Sequence, residues 1–343
     1  MSDMPPLRAP YFSVPDGVWV MERPADIRVI LRDARFGMLG ETAIDPAAVA
    51  EVADQPFRWW QASASASLLN PNAEVIDDLV NQLRAASQAL AAALDAADQR
   101  AMGDDPAVMD LMATVLRPWS HAVAARLLDI PLPVVVEAEP LARRVFEVAA
   151  QVEDSTGLPA DATPATLGLL ERLAPYRRAD RPGDGLDIQA WVALTQTLPA
   201  LIAAGVLGRS PEGGHRRCPA GATADVPTRS EEARLASASP VRALFRTALT
   251  EVALGEVVIA PGDRVMLLVA HDPQFLFGDG RHRCAGASLV RTLFGAAMAV
   301  FDASPLVAKT DVITENDHFL IQRVDGRAMR TVGVLPVQLA GSL

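Results

Sequence analysis

The 343-residue chain carries 31 Lys and Arg against 42 Asp and Glu, a formal charge of −11, and half of its residues are hydrophobic. That balance excludes a nucleic-acid binder, which needs a basic face to meet phosphates. Two cysteines are too few for a disulfide framework, no charged-then-apolar leader opens the sequence, and no stretch of transmembrane length lacks charges or helix breakers, so the expectation is a soluble, reduced, cytoplasmic protein that enters no membrane.

Length alone suggests about two domains at roughly 150 residues each. Only one plausible internal break appears, so residues 1–343 are read as a single unit. GVWVMERPADIRVILRDARF (17–36) predicts a strand through Val18, Val20 and Met21, then a short helix beginning at Ile27, Val29, Ile30 and Leu31. Residues 73–101 place Val75, Leu79, Leu83, Leu90 and Leu94 at helical spacing, and helical character returns over 108–128 and 134–152. A further helix is expected over 187–207, with Pro199 kinking it or ending it early. Residues 209–230, RSPEGGHRRCPAGATADVPTRS, are dense in Gly, Pro, Ser and Arg without periodicity and predict a flexible loop. Valine-rich alternation with turn signals over 248–270 predicts a small antiparallel sheet. The fold class is mainly α with a small antiparallel β portion.

One stretch carries chemistry. FLFGDGRHRCAGASLVR (275–291) sets Cys284 among glycines, beside Arg281, His282 and Arg283, and just before an apolar run with Leu289, Leu293, Ala297, Val300 and Phe301 at helical spacing. A thiolate there would sit at a helix N-terminus, where the dipole and the cations favour its charge. By residue type alone, Cys284 could be a small buried hydrophobe, a metal ligand or a nucleophile. Zinc is disfavoured because no second cysteine or histidine pair lies at finger spacing, and no base partner marks a nucleophile.

The order Phe277, Gly278, Gly280, His282, Cys284, Gly286, followed by an amphipathic helix with Arg291, resembles the haem-binding loop of the cytochrome P450 superfamily, an axial cysteine-thiolate family. The 17–36 segment is similar to that family's N-terminal strand and helix. LRPWSHAVAARLLDIP (116–131) is similar to its helix ending in a turn, with Asp129 for the usual glycine. The resemblance implies an abbreviated P450-like fold holding haem b, with Cys284 as metal ligand and catalytic residue. It implies that Arg246 and His282 bind haem propionates, and that Glu231 and Arg234 form a buried E-x-x-R ion pair propping the loop. It further implies a small hydrophobic substrate and a ferredoxin as redox partner, drawn to a basic patch of Arg281, Arg283 and Arg291.

Departures accompany the resemblance. The family's A-G-x-[DE]-T aligns best on Ala204-Gly205-Val206-Leu207-Gly208, so Gly205 and Gly208 occupy catalytic positions from which acid and alcohol are missing. The meander before Phe277 is shortened. The second propionate clamp falls near PFRWWQASASAS (56–67), where Arg58 could serve although Trp59 and Ser63 replace the usual pair. Trp59 and Trp60 are read equally as cavity lining or as anchors. Cys218, in GGHRRCPAG, imitates the loop without its Phe-Gly or its helix and is not expected to ligate. Two functions follow: a haem-thiolate oxidoreductase, monooxygenase-type or peroxide-dependent, in bacterial specialised metabolism; or a non-catalytic P450-like auxiliary that stabilises a partner such as a glycosyltransferase.

Overall fold

The computed structural model describes residues 7–37, 72–100, 107–150, 162–176, 189–208, 231–269, 272–284, 286–308 and 334–339. Arg58, Trp59, Trp60, the 209–230 segment and Cys218 lie outside them.

The first elements follow the periodicity closely. Strands β1 (Tyr11–Ser13) and β2 (Val18–Met21) form a hairpin, and helix α1 (Pro24–Arg32) starts with proline in its first turn, where a missing N–H costs nothing. Ile27, Ile30 and Leu31 are buried while Val29 is exposed, as an amphipathic helix requires. After β3 (Phe36–Gly37) comes helix α2 (Ala73–Asp98), capped by Asn72, whose side chain accepts from the Val75 N–H at 3.0 Å.

The expected helix over 108–128 is interrupted. Met109–Asp110 forms β4, and the Asp110 carboxylate accepts from the backbone N–H of Met112 (2.9 Å) and of Leu335 (3.0 Å). One side chain thus starts the helix and pins the C-terminal strand. A π-helical segment, Met112–Leu116, leads into α3 (Arg117–Leu128). Asp129 ends α3 in the left-handed region at φ 56°, which a short polar side chain tolerates better than most. Helices α4 (Leu132–Ala150) and α5 (Ala162–Leu173) pack on one another.

Helix 189–207 does not stop at Pro199. A second π-helical segment, Ala193–Thr197, precedes α6 (Leu198–Leu207) and runs continuously into it. Both π segments lie just before a proline, Pro118 and Pro199. A proline ring clashes with the carbonyl four residues back, and the widened turn makes room for it. Helix 189–207 is apolar and long enough to cross a membrane, but 67% of it is buried inside the protein, as a core helix would be.

Helix α7 (Glu231–Ala238) leads to β5 (Leu244–Ala248), the hairpin β6 (Val252–Leu254)–β7 (Val257–Ile259), and β8 (Arg264–Leu267). The five-stranded sheet has the order β1-β2-β8-β5-β3. Its pairing is antiparallel except at β2–β8, which is parallel and in the register Val20↔Met266. These two strands are far apart in the chain, so no hairpin dictates their direction. Helix α8 (Ala287–Asp302) and strands β9 (Leu306–Ala308) and β10 (Pro336–Leu339) complete the described elements. One apolar core joins α2 to α8; a second lies between the sheet, α1 and Phe275.

Candidate haem-thiolate site

The cysteine loop is built almost wholly from local backbone bonds. Asp272 starts a 3₁₀ turn, Pro273–Phe275, accepting from the Gln274 N–H at 3.0 Å, and the chain enters the loop directly afterwards. Gly278 N–H donates to the Phe275 carbonyl and Cys284 N–H to the Phe277 carbonyl, both at 2.8 Å. A second 3₁₀ turn, Gly280–His282, is started by Asp279, whose carboxylate accepts from the Gly280 N–H. Gly278 and Gly280 both have φ near +70°, a conformation that disfavours side chains. At Gly280 a Cβ would also lie 2.3 Å from the Leu31 carbonyl oxygen, so only glycine lets the end of α1 rest on the loop.

Two arginines strap the loop to this neighbour. Arg32 pairs with Asp279 at 2.9 Å, and Arg281 donates to the Phe36 carbonyl at 3.1 Å. Arg291 lies over the Phe277 ring, 4.5 Å from its centre. The expected basic patch is therefore reduced. Arg281 turns inward to β3, and of the three cations Arg283 is the exposed one.

Cys284 precedes α8 with an exposed side chain, and its carbonyl accepts from the Ala287 N–H. Protein atoms nevertheless crowd the sulfur closely enough that desolvation is the leading influence on the thiol and pushes its pKa up. An N–H bond from Gly286 and the charges of Arg283 and Arg291 act the other way. The donor set suits a thiolate whose charge is completed by a metal: one N–H on the sulfur, two cations nearby, and no further His, Asp or Glu gathered into a metal-binding group among the described residues.

Two more groups fit a haem. Arg246, on β5, is only 3% exposed and donates to the Phe245 carbonyl at 2.7 Å. It shares a face of β5 with Leu244, whose Cδ1 lies 3.7 Å from where a Cβ of Gly278 would be. The strand thus carries a buried guanidinium on the side where the loop packs. In the loop itself, the Nε2 of His282 is fully buried. A buried cation on β5 and a buried imidazole nitrogen in the cysteine's own loop would suit a ligand with carboxylate arms and a metal centre.

Known structures share this fold. The chain superposes on P450BioI in complex with hexadec-9Z-enoic-acid-ligated acyl carrier protein at a TM-score of 0.63 and 17% identity, covering 94% of this chain and 92% of that one. This chain has the cytochrome P450 fold. A Bacillus megaterium P450 in complex with testosterone matches at TM-score 0.61 and 15% identity, over 96% of each chain. HmtN, a hydroxylase of himastatin biosynthesis, matches at 0.61 and 19%, covering 98% of this chain and 95% of its own. No family model matches the sequence, and no curated protein does either. The likeness lies in the P450 backbone, while the sequence has diverged widely.

Within this P450 fold, several expected site residues are elsewhere. Gly205 packs helix against helix: a Cβ there would lie 2.7 Å from Phe294 Cε2 and 2.9 Å from Met298 Sδ. Phe294 is seven residues into α8, about 10 Å along its axis, so Gly205 serves the crossing of α6 and α8. Gly208 is exposed at the end of α6, where a Cβ would meet only carbonyls of its own helix. Nor do Glu231 and Arg234 form a buried pair. Glu231 is exposed and its carboxylate lies on Gly295, while Arg234 pairs with Asp302 at 3.0 Å, tying α7 to the far end of α8.

The sequence reading overlooked the π segment. Ala193-Leu194-Thr195-Gln196-Thr197 keeps the first and last residues of A-G-x-[DE]-T, with an amide where the acid stands. Thr195 is buried and donates to the Trp191 carbonyl at 2.8 Å, and the Gln196 amide reaches the Thr195 hydroxyl at 3.3 Å. Gln196 and Thr197 remain partly open. Two polar residues before a helix proline were the available signal, obscured by the closer Ala-Gly match at 204–205.

Proposed function

We propose that the chain is a haem-thiolate oxidoreductase of the monooxygenase type, acting on a small hydrophobic molecule in specialised metabolism. The observation that carries this reading is Cys284: an exposed sulfur in crowded surroundings, hydrogen-bonded by a backbone N–H at the head of a helix. Haem b, when bound, would supply the oxygen-activating redox chemistry, and Cys284 would hold its metal. The chain's own groups hold and tune it. Gly286 N–H and the charges of Arg283 and Arg291 favour the thiolate over the thiol. Arg246 and His282 would hold the carboxylate arms by hydrogen bonds, charge-assisted from the guanidinium.

Leu207 and Gly208 stand where the family's acid and alcohol would be, so proton supply falls to the substrate or to water. This favours a peroxide-dependent or poorly coupled reductase-driven enzyme over an efficient one. An acidic ferredoxin would meet the face around Arg283. Neighbours include a hydroxylase of himastatin biosynthesis and a protein described as an unusual P450-like monooxygenase of microbial secondary metabolism, which supports the class of substrate.

The deciding experiment is the spectrum of the purified protein. One haem per chain, with a red-shifted Soret band in the reduced carbonyl complex, is expected. A colourless protein that copurifies with a glycosyltransferase would favour the auxiliary reading instead.

A further inference from the structure

The interface between α3 and α4 contains a partly buried ionic seam that the haem reading does not use. His121 on α3 is 8% exposed, and its Nε2 is buried without a hydrogen-bond partner. Across from it on α4, Glu139 is 9% exposed and accepts two bonds from Arg143, at 3.1 and 2.6 Å. Arg117, one turn before His121, adds a second cation, and Asp110 on β4 acts on Arg117. His121 therefore faces two arginines and one carboxylate that Arg143 already occupies. The π segment Ala193–Thr197 packs on both helices and brings no charge of its own, and α6 beyond it brings none either.

We propose that protonation of His121 opens this seam and loosens the π segment that rests on it, making the interface a pH-sensitive latch on helix 189–207. The physical argument is one of charge. In the closed interface the imidazole is neutral; a proton would bury a cation beside the partly open Arg117 and Arg143, with one carboxylate, already engaged by Arg143, to meet it. Once the helices part, water solvates the imidazolium and the arginines together. Desolvation holds the His121 pKa below its ordinary value; Glu139 acts against it, and Arg117 and Arg143 act with it. The opened state takes up the proton more readily than the closed one, so opening is favoured as pH falls through about 6.5 and below. Helix 189–207 is the responsive element because a π segment is a poorly bonded part of a helix. The latch requires no haem and stands apart from the catalytic reading.

Hydrogen exchange read by mass spectrometry tests it, on the full chain as purified, at pH 7.5 and 5.5 with rates corrected for intrinsic exchange. Peptides covering 189–200 should lose protection about tenfold or more at pH 5.5, while peptides of α8 hold theirs. His121→Gln, neutral at both pH values, should keep equal protection at 189–200. A wild-type helix equally protected at both pH values, an equal acid loss in His121→Gln, or simultaneous loss across α8 would each overturn the latch. Histidine-labelled NMR supplies a readout independent of the variant's folding: among the five histidines, the His121 resonance should titrate below 6.5, and a midpoint above that value would also overturn it.

Discussion

Gly205 and Phe294 lie so close that a single methyl group cannot be placed between their helices. A Cβ on Gly205 would sit 2.7 Å from Phe294 Cε2, inside van der Waals contact, and Met298 blocks the other side. Gly205→Ala should therefore cost about 1–3 kcal/mol through overpacking and lower Tm, while the haem spectrum of the folded fraction stays unchanged. Thermal melts alongside the carbonyl spectrum check both halves.

Ligation is tested by the two cysteines. Cys284→Ser should abolish the red-shifted Soret band of the reduced carbonyl complex, and Cys218→Ser should leave it intact. If Cys218→Ser were the damaging change, the assignment of the loop would fail.

Without haem, the same sulfur should be sluggish. Desolvation raises the Cys284 pKa, so the thiol stays protonated at neutral pH although its side chain is exposed. Alkylation of the apoprotein by iodoacetamide should be slow at pH 7–8 and accelerate only at higher pH than for a free cysteine. Rapid alkylation at pH 7 would show that Gly286, Arg283 and Arg291 outweigh desolvation.

Arg246→Ala should speed haem loss to an apomyoglobin trap several-fold while leaving the far-UV circular dichroism unchanged. The β5 backbone ladder to β8 does not need the guanidinium. Unaltered haem retention would remove Arg246 from the site.

Gly208 and the surface arginines separate the tertiary reading from the sequence alignment. Gly208→Thr should leave coupling of turnover to electron supply unchanged, because Gly208 is exposed at a helix end. Arg283→Glu should slow reduction by a ferredoxin, more so at low salt. Arg281→Glu should instead lower stability by removing the bond to Phe36. Product analysis and stopped-flow reduction discriminate these outcomes.

The sequence by itself determined what depends on near neighbours. The cysteine loop could be read because its glycines, Asp279 and Cys284 act within a few residues of one another, and β2 and α1 could be read from a few apolar positions at periods of two and 3.6. The tertiary structure decided everything that depends on partners far along the chain. Arg234 faces Glu231 one helical turn away, yet it binds Asp302, 68 residues on. Arg281 resembles a surface cation until Phe36, 245 residues earlier, offers it a carbonyl. Gly205 reads as part of a catalytic motif, but the crossing of α6 over α8 makes it a packing residue. Local backbone chemistry is encoded by spacing; the partner of a long side chain, or the space beside a glycine, exists only after distant segments have packed.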